Sequence, residues 1–212
     1  MRQLHIGGRW ERGEGAELRS RDPSVGAVVW EGRGANDAQV DSAFRAARSA
    51  FVTWRDVSLE RRIETIRRFG TLLERQRDGL AQVISLETGK PTWEALGEVD
   101  SMRAKIDISI HAYAERTGLA EREMGQYRSV VRHQPHGVVA VMGPFNFPGH
   151  LPNGHIVPAL LAGNAVVFKP SEHTPWTAVE TMRLWEEAGV LPGVLNLVLG
   201  AQETGAATAA RR

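Results

Sequence analysis

Three mostly apolar runs in the second half of the chain, Val138 to Met142, Ala165 to Phe168 and Val194 to Leu199, show no regular apolar–polar alternation, the third broken once by Asn196. Each ends at a stop: Gly143-Pro144, Lys169-Pro170 and Gly200. Continuous runs of this kind suit strands buried on both faces of a parallel sheet. About twenty residues separate the first two, enough for the helical crossover that parallel strands require. A second crossover opens at Thr174-Pro175, a cap with proline at the first helical position. It carries Ala178, Met182 and Trp185 on one side and stops at Gly189. The pattern reads β-α-β-α-β, right-handed by the usual rule.

The first half is patterned differently. Short apolar pieces flank Gly7-Gly8 between Leu4 and Trp10, a hairpin signal. Asp22 to Gly26 reads as a turn leading into a strand from Ala27 to Trp30. Asn36 precedes a helix with Gln39 placed for a capping box, and its inward stripe is Val40, Phe44, Ala47 and Phe51. Ser58 caps a second helix with Ile63, Ile66 and Leu73 inward; Arg62, Arg67 and Arg68 read as its solvated face. Asp78 opens a helix that ends at Thr88-Gly89, and Thr92 to Ala114 forms a long one with Leu96, Val99, Arg103/Ile106 and Ile110 near one stripe. Arg103 and Lys105 interrupt apolar surroundings there and are expected to snorkel. Glu121 to Gln134 is a polar, extended excursion. Gly89-Lys90 is no phosphate loop, because Pro91 follows and the upstream glycine is missing.

Polar groups cluster where the first two runs end. Asn146 lies just past the first, and Lys169 and Glu172 lie at and just past the second. That edge of an open α/β sheet is where ligands bind, and such a cation and carboxylate suit a nucleotide ribose. Solvated charges on a turn account for the same spacing.

The residues themselves go further. Pro144-Phe145-Asn146-Phe147-Pro148, Ala162-Gly163-Asn164 and Lys169-Pro170-Ser171-Glu172 closely resemble, in order and spacing, signature segments of the NAD(P)-dependent aldehyde dehydrogenase superfamily. Glu87 to Pro91 resembles one of its structural segments. The insert Gly149 to His155 narrows the resemblance to a branch that oxidises a dicarboxylic semialdehyde in arginine catabolism. The resemblance implies an α/β fold: a truncated Rossmann-like parallel sheet with flanking helices and an extended arm. It divides the chain into residues 1–120, a helical and hairpin portion of the cofactor-binding domain, 121–136, an arm resembling the family's oligomerisation segment, and 137–212, the β-α-β-α-β unit.

The resemblance also implies roles. Asn146 matches the asparagine whose amide stabilises the tetrahedral alkoxide. Lys169 and Glu172 match the residues that hold the adenosine ribose; a carboxylate there favours NAD, while Ser171 beside it leaves NADP open. Met142, Pro144 and Phe145 are expected to line the cofactor cleft, and Gly200 to let the chain pass close to it. Phe147, His150 and Leu151 fall where the substrate tunnel begins, with Arg103 and Lys105 as cations for the substrate's carboxylates. The family's glycine-rich turn, catalytic glutamate and catalytic cysteine are expected beyond Arg212, so the catalytic domain is absent and these residues alone are expected to be inactive. Ala206 to Arg212 reads as a helix still running at Arg212.

Composition trims these readings. The 212 residues are 42% hydrophobic and 24% charged, with a net charge of +1, which provides no field for nucleic acid or anionic membrane. There is no cysteine, which excludes disulfides and any thiolate nucleophile within these residues. The seven histidines show no metal-ligand spacing. No apolar stretch approaches the ~20 residues of a membrane span, and Met1 to His5 begins no signal peptide, so the cytoplasm is the expected location. Another semialdehyde as substrate, or a non-catalytic nucleotide-binding or oligomerising module, remain alternatives.

Overall fold

A computed structural model describes residues 3–118 and 120–211. Its centre is a five-stranded sheet of order β2-β1-β9-β8-β7. Strands β7 (Val138–Met142), β8 (Ala165–Lys169) and β9 (Leu195–Leu197) run parallel, linked by α5 (His150–Leu161) and α6 (Pro175–Glu187). The Gly7-Gly8 hairpin, β1 (Leu4–Ile6) with β2 (Arg9–Glu11), adds antiparallel to β9, with His5 opposite Leu197. The amino-terminal portion and the β-α-β-α-β unit therefore share one sheet.

Strand β8 is buried along its whole length, as are the shorter β1 and β9. For β7 the expectation of burial on both faces fails: it is the edge strand, only Val141 is buried, and Ala140 and Met142 are exposed. A continuous apolar run does not distinguish the two positions, because the run reports composition and not the number of neighbouring strands.

The helices α1 (Asp37–Trp54), α2 (Leu59–Arg75), α3 (Arg77–Thr88) and α4 (Thr92–Arg116) surround this unit. The Asn36–Gln39 capping box forms, and the Ser58 hydroxyl accepts from the Arg61 amide. Arg62 departs from the solvated-face reading. It lies on the inward side of α2 and is buried against the Gly163 turn, and desolvation pulls its pKa down. On α4 the buried stripe is Ala95, Glu98, Val99, Met102, Ile106 and Ser109, so the inward set includes a carboxylate and leaves Leu96 and Ile110 half-buried.

Two smaller sheets complete the described residues: β3 (Glu17–Arg21) with β4 (Val28–Arg33), and the hairpin β5 (Ala120–Met124) with β6 (Tyr127–Val131). All residues of β5 and β6 are exposed. The last helix, α7 (Gln202–Ala210), gives way to extended backbone at Arg211; the expectation for Arg212 falls outside the described residues.

Candidate active site

The register of β7 on β8 sets the site. Met142 pairs with Lys169, and the Gly143 amide donates to the Lys169 carbonyl at 2.9 Å, so both strands end at one level. The loops that leave them carry the candidate groups to the same edge of the sheet.

Lys169 is buried, and its Nζ donates to the Gly200 carbonyl at 2.7 Å and lies 4.0 Å from Glu172 Oε2. Burial pulls the ammonium pKa down, and the Glu172 carboxylate opposes that shift. Glu172 itself stays half-exposed at the edge. The Ser171 hydroxyl is buried and accepts from the His173 amide at 3.2 Å. Gly200 has φ 157°, and a Cβ there would lie 1.9 Å from Thr204 Oγ1, so only glycine fits between β9 and α7. Beside it opens a cleft of about 640 Å³, lined in part by Leu18, Asn36, Gly200, Thr204 and Ala207. A larger groove of about 870 Å³ between β4 and α6 contains none of the candidate residues.

On the β7 side, Phe145 is exposed and meets the His173 ring edge-on at 6.0 Å. Pro144 is half-buried. The Asn146 side chain is exposed, while its backbone carbonyl accepts from Lys90 Nζ at 2.9 Å. Phe147 and Leu151 are partly exposed, and Phe147 meets the His150 ring at 6.5 Å. His150 Nδ1 is buried without a partner.

The two cations proposed for substrate separate. Arg103 points to α2 and pairs with Glu74 at 2.7 Å. Lys105 is half-buried against α5, its Cε 3.6 Å from where a Cβ on Gly154 would sit. Two residues apart on a helix lie about 200° apart around its axis, so they do not share a face. The structure thus brings Asn146, Phe147, His150, Leu151 and Lys105 to the α5 side, and Lys169, Glu172 and Gly200 to the β8–β9 side. Arg103 joins neither.

Two buried glutamates stand behind this edge. The Thr174 hydroxyl makes no capping bond to α6 and is buried without a partner. Glu87 of α3 caps α6 in its place, accepting from the Trp176 amide at 2.9 Å and the Thr177 amide at 2.7 Å. Likewise α5 has no cap of its own. Glu98 of α4 accepts from the Gly149 amide at 2.9 Å and the His150 amide at 3.1 Å. In the sequence, Lys90 figures only in a rejected phosphate loop and in a structural segment, and Glu98 has no role. The available signal was a carboxylate on the apolar stripe of α4.

This edge can be set beside known proteins. The aldehyde dehydrogenase family model matches residues 10–212. The chain belongs to the aldehyde dehydrogenase family. It is similar to the N-succinylglutamate 5-semialdehyde dehydrogenase of Chromobacterium violaceum, 57% identical over 99% of this chain and 43% of that protein. It is also similar to the protein of that name from Yersinia pseudotuberculosis, 56% identical over 98% of this chain and 41% of that protein. Among solved structures, an aldehyde dehydrogenase from Bacillus cereus in complex with NAD+ superposes with a TM-score of 0.93 at 29% identity, over 99% of this chain and 44% of that one. A Pseudomonas syringae aldehyde dehydrogenase mutant bound to NAD+ and octanal gives 0.91 at 32% identity, over 99% of this chain and 43% of that one. This chain spans less than half the length of these family members. No helix among the described residues is long and apolar enough to cross a membrane.

Proposed function

We propose that these residues form the cofactor-side part of an NAD-dependent N-succinylglutamate 5-semialdehyde dehydrogenase, which oxidises its aldehyde to N-succinylglutamate. The observation that carries this reading is the 55–57% identity to relatives of that name across nearly the whole chain. The residues at the sheet edge fit a dinucleotide. Lys169 is a buried cation beside a half-exposed carboxylate, and Gly200 keeps the backbone free of a side chain at the adjoining cleft.

In this reading Glu172 accepts the ribose hydroxyls and Lys169 holds the carboxylate and the ribose in register, with Ser171 shaping the turn. Met142, Pro144 and Phe145, at the end of β7, present apolar surface to the cofactor from the other side of the edge. A bound nicotinamide would supply the hydride acceptor for oxidation of the aldehyde. The Asn146 amide donates to the oxygen that becomes an alkoxide as a nucleophile adds to the aldehyde. Phe147, His150 and Leu151 form the entry wall, and Lys105 meets a substrate carboxylate. The fully exposed hairpin β5–β6 supports a role in contact between subunits.

The test uses these residues continued to the family's full length. Oxidation of N-succinylglutamate semialdehyde is expected to exceed that of a short uncharged aldehyde in kcat/KM by on the order of a hundredfold. Equal values for the two substrates reject the assignment. Glu172→Gln is expected to move the NAD to NADP ratio of kcat/KM toward NADP by roughly tenfold, because the carboxylate both accepts hydroxyls and repels a 2′-phosphate. A constant ratio removes Glu172 from cofactor selection.

A further inference from the structure

The loop that presents Asn146 is held by a buried ion pair that none of the roles assigned above uses. Lys90, in the turn between α3 and α4, and Glu98, on α4, bond at 2.6 Å with side chains 8% and 0% exposed. The ammonium has three donors. One goes to Glu98 Oε2, and a second to the Asn146 carbonyl at 2.9 Å. The nitrogen also lies over the Phe147 ring, 4.2 Å from its centroid, where the ring face attracts a cation. The other carboxylate oxygen, Glu98 Oε1, takes both the Gly149 and His150 amides at the start of α5. A Cβ on Gly149 would lie 2.6 Å from Met102 Sδ and 3.4 Å from Glu98 Oε1, so glycine is what lets the loop reach the carboxylate.

A single pair therefore grips both ends of the 146–150 segment. The Asn146 side chain has little else to orient it, since it projects into solvent. Burying two charges is unfavourable unless every donor and acceptor is used, and here they are used on the loop that carries Asn146. We propose that Lys90 and Glu98 are positioning residues that set the place and direction of the Asn146 amide. The inference rests on the oxyanion role proposed for Asn146.

The test is a double-mutant cycle in the protein continued to the family's full length. Lys90→Met alone strands the buried Glu98 charge and is liable to misfold. The working variant is therefore Lys90→Met combined with Glu98→Gln, which removes both charges and leaves a carbonyl to accept from the Gly149 amide. It is expected to lower kcat on the order of tenfold to a hundredfold, the scale of a small misplacement of a reacting group. KM for NAD is expected to stay within about twofold. In an Asn146→Ala background the same two changes are expected to lower kcat less than about twofold further, since the group they position is gone. An equal loss in both backgrounds, or no loss in the first, overturns the positioning role while leaving Asn146 in place. An unchanged kcat for Asn146→Ala alone overturns the oxyanion role and this inference with it.

Discussion

Asn146→Ala, in the protein continued to the family's full length, is expected to lower the single-turnover rate of aldehyde oxidation about 10²–10³-fold, the usual loss for one oxyanion donor. The reason is differential. The amide makes no hydrogen bond among those seen at the site and is exposed at the carboxyl edge, free to meet a ligand. Its donor gains a strong acceptor only when negative charge develops on the substrate oxygen. Affinity for NAD is expected to hold within about twofold, because the proposed ribose-binding residues stand on the β8 side and not on this loop. Stopped-flow NADH absorbance with NAD titrated alongside separates the two quantities. A rate that does not move takes Asn146 out of the chemistry; a rate that falls together with NAD affinity points to collapse of the loop.

Glu87→Gln is expected to destabilise the fold by about 2–3 kcal/mol, the scale for losing charged hydrogen bonds in a buried site. Glu87 is 5% exposed, and its oxygens receive two backbone amides and the Thr177 hydroxyl. A glutamine turns one oxygen into an NH₂ group facing an N–H, at a side chain too buried for solvent to relieve the clash readily. Calorimetry should show a midpoint lower by on the order of 5–10 °C for a chain of this size. An unchanged midpoint would mean that the cap contributes nothing.

The pH dependence follows from Glu87's surroundings. Burial raises its pKa above the ordinary 4.5, and the hydrogen bonds from Thr177 and Trp176 only partly offset this. A carboxyl whose folded value lies above its unfolded one takes up a proton more readily when folded. Its favourable linkage is complete below 4.5 and is lost as pH rises through the raised folded value. The stability gap between the two proteins should therefore be wider at the acid end of that window and narrow across it. A gap that widens with rising pH contradicts the assigned direction.

What could be read from residues alone divides along physical lines. Local signals held: the Asn36–Gln39 box, the Ser58 cap and the glycine stops all depend on neighbours in sequence. The β-α-β-α-β order also followed from run lengths and spacing. The misreadings arose where tertiary context decides. Val138–Met142 has the composition of a central strand and lies at the edge. Thr174 has the look of a cap, yet Glu87, 87 positions earlier in numbering and on another helix, takes the amides. Arg103 and Lys105 were both placed at the tunnel mouth because family likeness puts their helix there, and helical geometry turns them apart. The site residues were named through family likeness. Lys90 and Glu98 escaped because their meaning lies in each other's position across the α3–α4 turn.

That same turn bears on the order in which the chain assembles. The bonds from Glu98 to the start of α5 span 51 and 52 residues, and those from Glu87 to the start of α6 span 89 and 90. Neither crossover helix carries a side-chain cap of its own. Their first turns thus remain frayed until the α3–α4 pair has docked, and closing such long loops is slow compared with forming the helices. The parallel strands can collapse early, but this edge of the sheet acquires its final geometry only once those long-range contacts have closed.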